Sequence, residues 1–140
     1  MDTTKLLSRI QFVMVFVIFG VVVVTFRGPW NVLRVVGLGI AAPALVFFAI
    51  AKAQLGDSFS VEPLAQKLIA HGIYAKVRHP MYLFSALFFF GLILYAGQLW
   101  FLLIFLGIVP LQLFRMRRED QVLEEKFGED YRRYRQNAWF

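Results

Sequence analysis

Apolar residues occur in four runs along the chain, and the charged residues lie at the edges of these runs. The runs cover residues 10–26, 35–51, 81–97 and 99–114, and each is 16 or 17 residues long. At about 1.5 Å per residue, a helix of that length spans about 25 Å, the short end of what crosses the hydrocarbon core of a bilayer. The pattern predicts an all-α, multi-pass membrane protein with four transmembrane helices.

The last two runs are separated only by Gln98, and no charged residue lies between Met81 and Phe114. One helix of that length would be too long for a bilayer, so the segment predicts an antiparallel hairpin with a minimal turn. The first run is expected to be a retained anchor, because residues 25–29 after it show no small-residue pattern typical of signal-peptide cleavage.

Composition and charge agree with a membrane location. The 140 residues are 59% hydrophobic and 17% charged, whereas soluble domains are roughly 45–50% apolar and about 25% charged. The length allows one domain, residues 1–140. If the chain starts inside, only Arg27 and Arg34 of its 15 Lys and Arg residues lie outside. This bias predicts that both termini are cytoplasmic, with the chain in the inner membrane of a prokaryote. The absence of cysteine excludes disulfide scaffolds, thiolate metal sites and cysteine nucleophiles.

Two polar segments are therefore expected on the cytoplasmic side, a loop over residues 52–80 and a tail over residues 115–140. In the tail, one helical face carries apolar and aromatic residues, namely Leu123, Phe127, Tyr131 and Tyr134. Arg132, Arg133 and Arg135 point elsewhere. The spacing predicts an amphipathic helical tail lying on the membrane surface, interrupted at Gly128.

The hairpin brings the start of the third run and the end of the fourth to one membrane face. Pro80 suits the first turn of a helix and favours an extended His79 before it. The free N–H groups of that helix start, with Arg78, predict an anion site. Nearly every titratable or anion-binding group falls in the two segments that meet there: His71, Tyr74, Lys76, Arg78, His79 and Tyr82 in the first, and Arg115, Arg117, Arg118, Glu119 and Asp120 in the second.

These residues resemble the isoprenylcysteine carboxyl methyltransferase family and its phospholipid-methyltransferase relatives. The resemblance covers about the C-terminal half. It rests on Gly-Ile-Tyr-Ala-Lys-Val-Arg-His-Pro-Met-Tyr at 72–82 and, about 35 residues later, on Arg-Glu-Asp-x-x-Leu-x-x-x-Phe-Gly-x-x-Tyr-x-x-Tyr. It implies an integral-membrane enzyme that transfers a methyl group from S-adenosylmethionine to a lipid-like acceptor. The family usually has two adjacent glutamates where this chain has Glu119 and Asp120, so the second carboxylate is one methylene shorter.

The parts of S-adenosylmethionine suit different residues of the two segments. Arg78, His79 and the helix start suit its carboxylate, Glu119 suits its ammonium or ribose hydroxyls, and aromatic side chains can wall the adenine or sulfonium. We therefore predict three catalytic residues, Arg78, His79 and Glu119. The predicted cofactor-binding residues are Gly72, Tyr74, Arg78, His79, Tyr82, Glu119 and Asp120. A carboxylate acceptor needs no general base, whereas an amine or thiol acceptor makes His79 or a carboxylate a candidate base.

Simpler interpretations of these residues compete with the catalytic one. Arg78 can be a topology anchor, the tyrosines interfacial aromatics, and His79 a helix cap. Glu119 and Asp120 can pair with Arg115 and Arg118 one turn away.

Other functions also fit parts of the pattern. Sterol-reductase-like enzymes share a similar hairpin and tail, so a reductase using NADPH is one alternative, and a non-catalytic scaffold with a lipid-binding basic tail is another. No nucleic-acid motif is present, and two histidines eight residues apart give no metal-ligand spacing. The expected partners are membrane lipids and a lipidic or small apolar acceptor. A homodimer is compatible with a cleft walled by only four short helices.

Overall fold

The computed structural model describes residues 3–55 and 72–139. These residues form five α-helices and one 3-10 turn, and no strand occurs among them. The helices are α1 (Thr3–Thr25), α2 (Val32–Leu55), α3 (Pro80–Ala96), α4 (Phe101–Phe127) and α5 (Glu129–Asn137), and the 3-10 turn is Gly72–Ala75. The all-α prediction is confirmed. His71, Lys67 and most of the predicted loop at 52–80 lie outside the described residues.

One of these helices is long and apolar enough to cross a membrane by itself. Val32–Gln54, almost the whole of α2, reaches a mean hydropathy of 2.2. The apolar part of α1, Val13–Thr25, and the whole of α3 are shorter apolar helices. The four predicted spans coincide, to within about two residues at their starts, with parts of α1, α2, α3 and α4. That all four cross the membrane stays a prediction.

The fourth predicted span does not end where the sequence pattern placed its end. Helix α4 has 27 residues and runs without a break to Phe127, about 40 Å in length. Residues 115–127 contain good helix formers and neither glycine nor proline, so nothing stops the helix at the predicted membrane edge. The first half of the tail is thus an extension of α4, not a separate surface helix. Gly128, with φ 55°, ends α4 as predicted.

The α3–α4 hairpin is confirmed. Gly97 adopts the left-handed conformation, with φ 71°, and its N–H donates to the carbonyl groups of Ile93 and Leu94 at 3.1 and 3.2 Å. This arrangement satisfies carbonyls at the end of α3 that have no partner within the helix. The chain reverses through residues 97–100, so the start of α3 and the extension of α4 lie at the same end of the hairpin.

The closest helix contact is between α2 and α3, where two glycines face each other. A Cβ atom added to Gly91 would lie 2.6 Å from the carbonyl oxygen of Gly37, so the two backbones touch. Small residues permit this approach between membrane helices, which associate through packing and not through exclusion of water. The buried cluster around this contact contains Ala41, Ala44, Leu45, Phe88 and Leu92.

A second buried cluster links this core to the end of the hairpin where α3 begins. It consists of Phe48 and Ala51 of α2, Tyr74 of the 3-10 turn and Met81 of α3. Many large apolar side chains outside both clusters are exposed, for example Leu103 of α4 at 74%. Water-soluble monomers rarely expose contiguous apolar surface on this scale, so the outer faces of these helices suit contact with lipid.

Candidate active site

The site begins where α3 begins. Pro80 occupies the first turn of α3, as predicted, and His79 precedes it at the N-cap position, where only its side chain could have capped the helix. The backbone of His79 has φ −123° and ψ 57°, which falls short of the extended conformation expected before proline. Its side chain makes no capping hydrogen bond and is only 4% exposed. The helix-cap interpretation of His79 is therefore wrong, since its imidazole is directed to α4.

Asp120 of α4 is the centre of the hydrogen-bond network. Its Oδ1 lies 2.8 Å from Nε2 of His79, and its Oδ2 accepts a hydrogen bond from Nη1 of Arg78 at 3.2 Å. Oδ1 also accepts a hydrogen bond from the hydroxyl of Tyr131 on α5. Residues before α3, in α4 and in α5 thus meet on one carboxylate. Asp120 pairs across the hairpin with Arg78 and His79.

Glu119 approaches the same imidazole from its other edge. Its Oε2 lies 3.9 Å from Nδ1 of His79, beyond hydrogen-bond distance. Tyr82 lies beside both groups, since it acts to lower the pKa of Glu119 and its ring stands edge-on to the His79 ring with centroids 5.9 Å apart. His79 is therefore placed between two carboxylates that are adjacent in sequence.

The surroundings displace the pKa values of the two carboxyl groups in opposite directions. Burial raises the pKa of Glu119 above its ordinary value of 4.5, and the charge of Asp120 adds to this, although His79, Tyr82 and Arg115 oppose it. Burial also acts to raise the pKa of Asp120, but hydrogen bonds from His79 and Tyr131 and the charge of Arg78 outweigh it and hold the pKa below 3.8. Paired carboxyl groups with pKa values pushed apart are typical of sites that handle protons.

Helix α5 holds the turn that precedes α3. The Tyr134 hydroxyl donates to the backbone oxygen of Tyr74 at 2.6 Å, and the N–H of Trp139 donates to the backbone oxygen of Lys76 at 2.6 Å. Burial raises the pKa of Tyr134 to about 12 and raises that of Tyr74 as well, so both phenols are neutral near pH 7. These bonds tie the C-terminal end of the described chain to the backbone beside Arg78.

Gly72 lies against the end of α2. It has φ 62°, and a Cβ atom there would lie 2.3 Å from the side-chain oxygen of Gln54. That same oxygen accepts a hydrogen bond from the N–H of Ile73 at 2.9 Å. The contacts of Gly72 thus fit the 3-10 turn onto the end of α2, and its binding of a cofactor stays a prediction.

The other predicted residues fall into one group. Arg78, His79, Tyr82, Glu119 and Asp120 come together, and Tyr74 lies buried at the same end.

Tyr131 is a site residue that the sequence pattern placed only on an apolar face of the tail. The position of Tyr131 on the apolar face after Gly128 indicates that its phenol turns inward. The sequence does not indicate which carboxylate this phenol contacts.

Three buried polar atoms among the described residues have no hydrogen-bond partner: the hydroxyl of Tyr74, Nε of Arg78 and Oε1 of Gln112. Such atoms are uncommon in folded proteins, so each of them calls for a partner outside the described residues. Two of the three belong to residues predicted to bind a cofactor. No cluster of three or more potential metal ligands occurs within residues 3–55 and 72–139.

The family model for phospholipid methyltransferase matches residues 31–130, well over half of the chain. The chain belongs to this family, which includes the isoprenylcysteine carboxyl methyltransferase-like enzymes. The matched region extends from the start of α2 through α4 and stops just before Tyr131. No curated protein and no solved structure matches the chain.

Proposed function

We propose that the chain transfers a methyl group from S-adenosylmethionine to a lipid-like or membrane-soluble acceptor at the cytoplasmic face of the membrane. The observation that carries the proposal is the convergence of Arg78, His79, Glu119 and Asp120 at one end of the hairpin. Membership of a methyltransferase family supports the type of reaction. The acceptor class covers carboxylates, amines and thiols that reach the site from the bilayer.

The free donors of the site fit the carboxylate of S-adenosylmethionine. Asp120 accepts a hydrogen bond from Nη1 of Arg78 and so orients the guanidinium. The buried Nε–H of Arg78 has no partner among the described residues and can donate to a bound carboxylate. The first N–H groups of α3 lack partners within the helix and add a second anion-binding element.

Glu119, Tyr74 and Tyr82 suit the other parts of S-adenosylmethionine. Glu119 can accept hydrogen bonds from an ammonium group or from ribose hydroxyls, and Tyr74 and Tyr82 offer aromatic faces to adenine or to a sulfonium cation. When bound, S-adenosylmethionine supplies an electrophilic methyl group on its sulfonium sulfur. Alignment of the acceptor and exclusion of water are then the main contributions of the protein.

The contact with Asp120 orients the imidazole of His79. The pKa of Asp120 is lowered, and its carboxylate accepts the hydrogen bond from Nε2 of His79. Nδ1 then faces Glu119, whose Oε2 lies 3.9 Å away. An acceptor that must lose a proton during methyl transfer can deliver it to Nδ1.

Calorimetric binding of S-adenosylhomocysteine to the purified protein tests the proposal. We expect the parent protein to bind, and Arg78→Ala and Glu119→Ala to bind at least about 10-fold more weakly, because each removes a charged hydrogen-bonding group. Arg117→Ala is the matched control, since Arg117 is exposed on the same helix as Glu119, and its affinity should stay within about twofold of the parent.

Absence of binding by a parent protein that is helical by circular dichroism would overturn the proposal. In that event, titration with NADPH would test the reductase alternative. Replacement of Arg132, Arg133 and Arg135 by alanine, followed by lipid-vesicle binding, would test the scaffold alternative.

A further inference from the structure

A small cavity lies between α3 and α4, on the membrane side of the polar cluster. Its volume is about 140 Å³. Tyr82, Leu83 and Ala86 line it from α3, and apolar side chains of α4 line it together with Gln112. Gln112 falls inside the fourth predicted span, in a stretch without charge. Among the side chains that line this cavity, none carries a charge.

Gln112 gives the cavity one unsatisfied polar atom. Its side-chain Oε1 is buried and has no hydrogen-bond partner. An amide oxygen removed from water without a partner is destabilising, so a group that donates a hydrogen bond to it would be held there. An apolar wall with one hydrogen-bond acceptor is the usual composition of a small-molecule site.

The cavity and the candidate active site share Tyr82. This residue forms part of the cavity wall, and its ring stands edge-on to that of His79, with centroids 5.9 Å apart. Met116 is a further lining residue and precedes Glu119 by about one turn of α4, while Gln112 lies about two turns, or about 10 Å, deeper along the helix. A molecule bound against Gln112 would therefore extend towards His79 and Glu119.

The size and charge of the cavity restrict what it can hold. An apolar cavity of about 150 Å³ accommodates benzene, so a cavity of this volume takes a group of that size and not a whole lipid. An ionised carboxylate in it would face the oxygen of Gln112 with no cation to pair with, which is strongly unfavourable.

We propose that this cavity binds the apolar part of the methyl acceptor beside its reacting atom, and that this part is uncharged and carries an O–H, S–H or N–H donor for Gln112. The inference rests on the proposed function and deepens it by describing the part of the acceptor that lies between α3 and α4. The reacting atom lies beyond this part, at the end of the cavity nearest His79 and Glu119. In the transfer, a lone pair of the reacting oxygen, sulfur or nitrogen forms the bond to the methyl carbon. The bond between this carbon and the sulfonium sulfur breaks, its electron pair stays on sulfur, and a proton on the reacting atom passes to His79.

Fluorine NMR of three probes with the protein in lipid nanodiscs tests the binding site. The probes are 4-fluorobenzyl alcohol, which has a donor, 4-fluorotoluene, which has none, and 4-fluorophenylacetate, which is a carboxylate. We expect the parent protein to bind the alcohol most tightly and not to bind the carboxylate. Gln112→Leu, which is similar in size, should weaken binding of the alcohol about fivefold and leave that of 4-fluorotoluene unchanged.

Ala86→Phe provides a second variant, since it fills the cavity from α3 and should abolish binding of both uncharged probes. Partition into lipid is subtracted with empty nanodiscs. Equal affinity of the parent for the alcohol and the carboxylate, or unchanged binding of the alcohol in both variants, would overturn the inference. Calorimetry with S-adenosylhomocysteine is run on the same samples. Loss of that binding while the probes still bind would count against the proposed function alone, and the reverse result would count against the cavity alone.

Discussion

Nε2 of His79 lies 2.8 Å from Oδ1 of Asp120, although 41 residues and a complete helical hairpin separate the two positions in sequence. Glu119, the neighbour of Asp120, faces Nδ1 of the same imidazole. Adjacent residues of an α-helix point about 100° apart, so a side chain placed between them can meet both. The imidazole has a nitrogen on each edge, so one histidine can face two carboxyl groups. The pKa of one of them is raised and that of the other is lowered.

Asp120 should make the stability of the protein sensitive to acid. Because its pKa is held below 3.8 in the folded state, the unfolded chain takes up a proton more readily. The stabilisation is fully present above about pH 4 and is lost as the pH falls through the lowered pKa. Asp120→Asn removes this dependence, so its melting temperature should fall less steeply than that of the parent between about pH 4 and pH 2 in detergent. Parallel curves for the two proteins would contradict the assigned direction.

Glu119 should act in the opposite sense. Its pKa is raised above 4.5 in the folded state, so its favourable contribution is complete below about pH 4.5 and is lost as the pH rises through the raised value. We expect Glu119→Gln to melt at a higher temperature than the parent at pH 7 and to bind S-adenosylhomocysteine more weakly. Thermal melts at pH 4.5 and pH 7 provide the check, because the advantage of the variant should grow with pH. A variant that is less stable than the parent at both values would refute this prediction.

The Tyr131 hydroxyl should stabilise the protein through its hydrogen bond to a charged group. Tyr131→Phe is expected to lower the free energy of unfolding by about 1.5–3 kcal/mol, the usual range for such bonds. It should also shift the acid transition of Asp120 to higher pH, because that carboxylate loses a donor.

Tyr134→Phe is the matched comparison for that variant, since the Tyr134 hydroxyl bonds to a neutral backbone oxygen. We expect a loss of about 0.5–1.5 kcal/mol and no change in the acid transition. Urea unfolding of both variants across pH separates the two cases, and an identical pH profile for Tyr131→Phe and the parent would rule out the role of Tyr131 in holding Asp120.

The contact between Gly37 and Gly91 should be intolerant of any side chain. A Cβ atom on Gly91 would lie 2.6 Å from backbone atoms of both Gly37 and Ala41, so Gly91→Ala must push α2 and α3 apart. We expect a cost of about 1–3 kcal/mol, as in other overpacked cores.

Gly39→Ala is the control for this contact, because nothing lies within 4 Å of the added atom. It should be neutral or stabilise α2 by up to about 1 kcal/mol through helix propensity. Melting temperatures of the two variants in the same detergent test the pair, and equal values would show that the close approach of the helices does not limit stability.

The four-span arrangement can be tested directly because the chain contains no cysteine. In Gln98→Cys the thiol lies in the turn of the hairpin, and in Asn137→Cys it lies at the end of α5. We expect a membrane-impermeant maleimide to label position 98 in intact cells and position 137 only after the membrane is opened. Labelling of both positions from the same side would be incompatible with a spanning α4.

Local signals in the sequence account for much of the fold. The uncharged run with Gly97 near its centre predicts the hairpin, since a glycine suits the left-handed conformation that ends α3. Pro80 predicts the start of α3, and Gly128 predicts the end of α4. The hairpin alone also brings Arg78 and His79 to the same end as Glu119 and Asp120. Its two apolar runs are antiparallel and similar in length, so the start of the first lies beside the end of the second.

The tertiary structure decided the partners of these groups. The rotation of α4 about its axis directs Asp120 to Arg78, His79 and Tyr131. From the sequence, Glu119 and not Asp120 was predicted to be catalytic. The inward return of α5 brings Tyr131 to Asp120, and the packing of α3 on α4 leaves Gln112 beside a cavity. Hydrophobic periodicity determines which segments are helical and roughly which end of a helix is polar. Helix rotation and side-chain packing depend on contacts between distant segments, and those contacts select one hydrogen-bonding arrangement among several that the sequence allows.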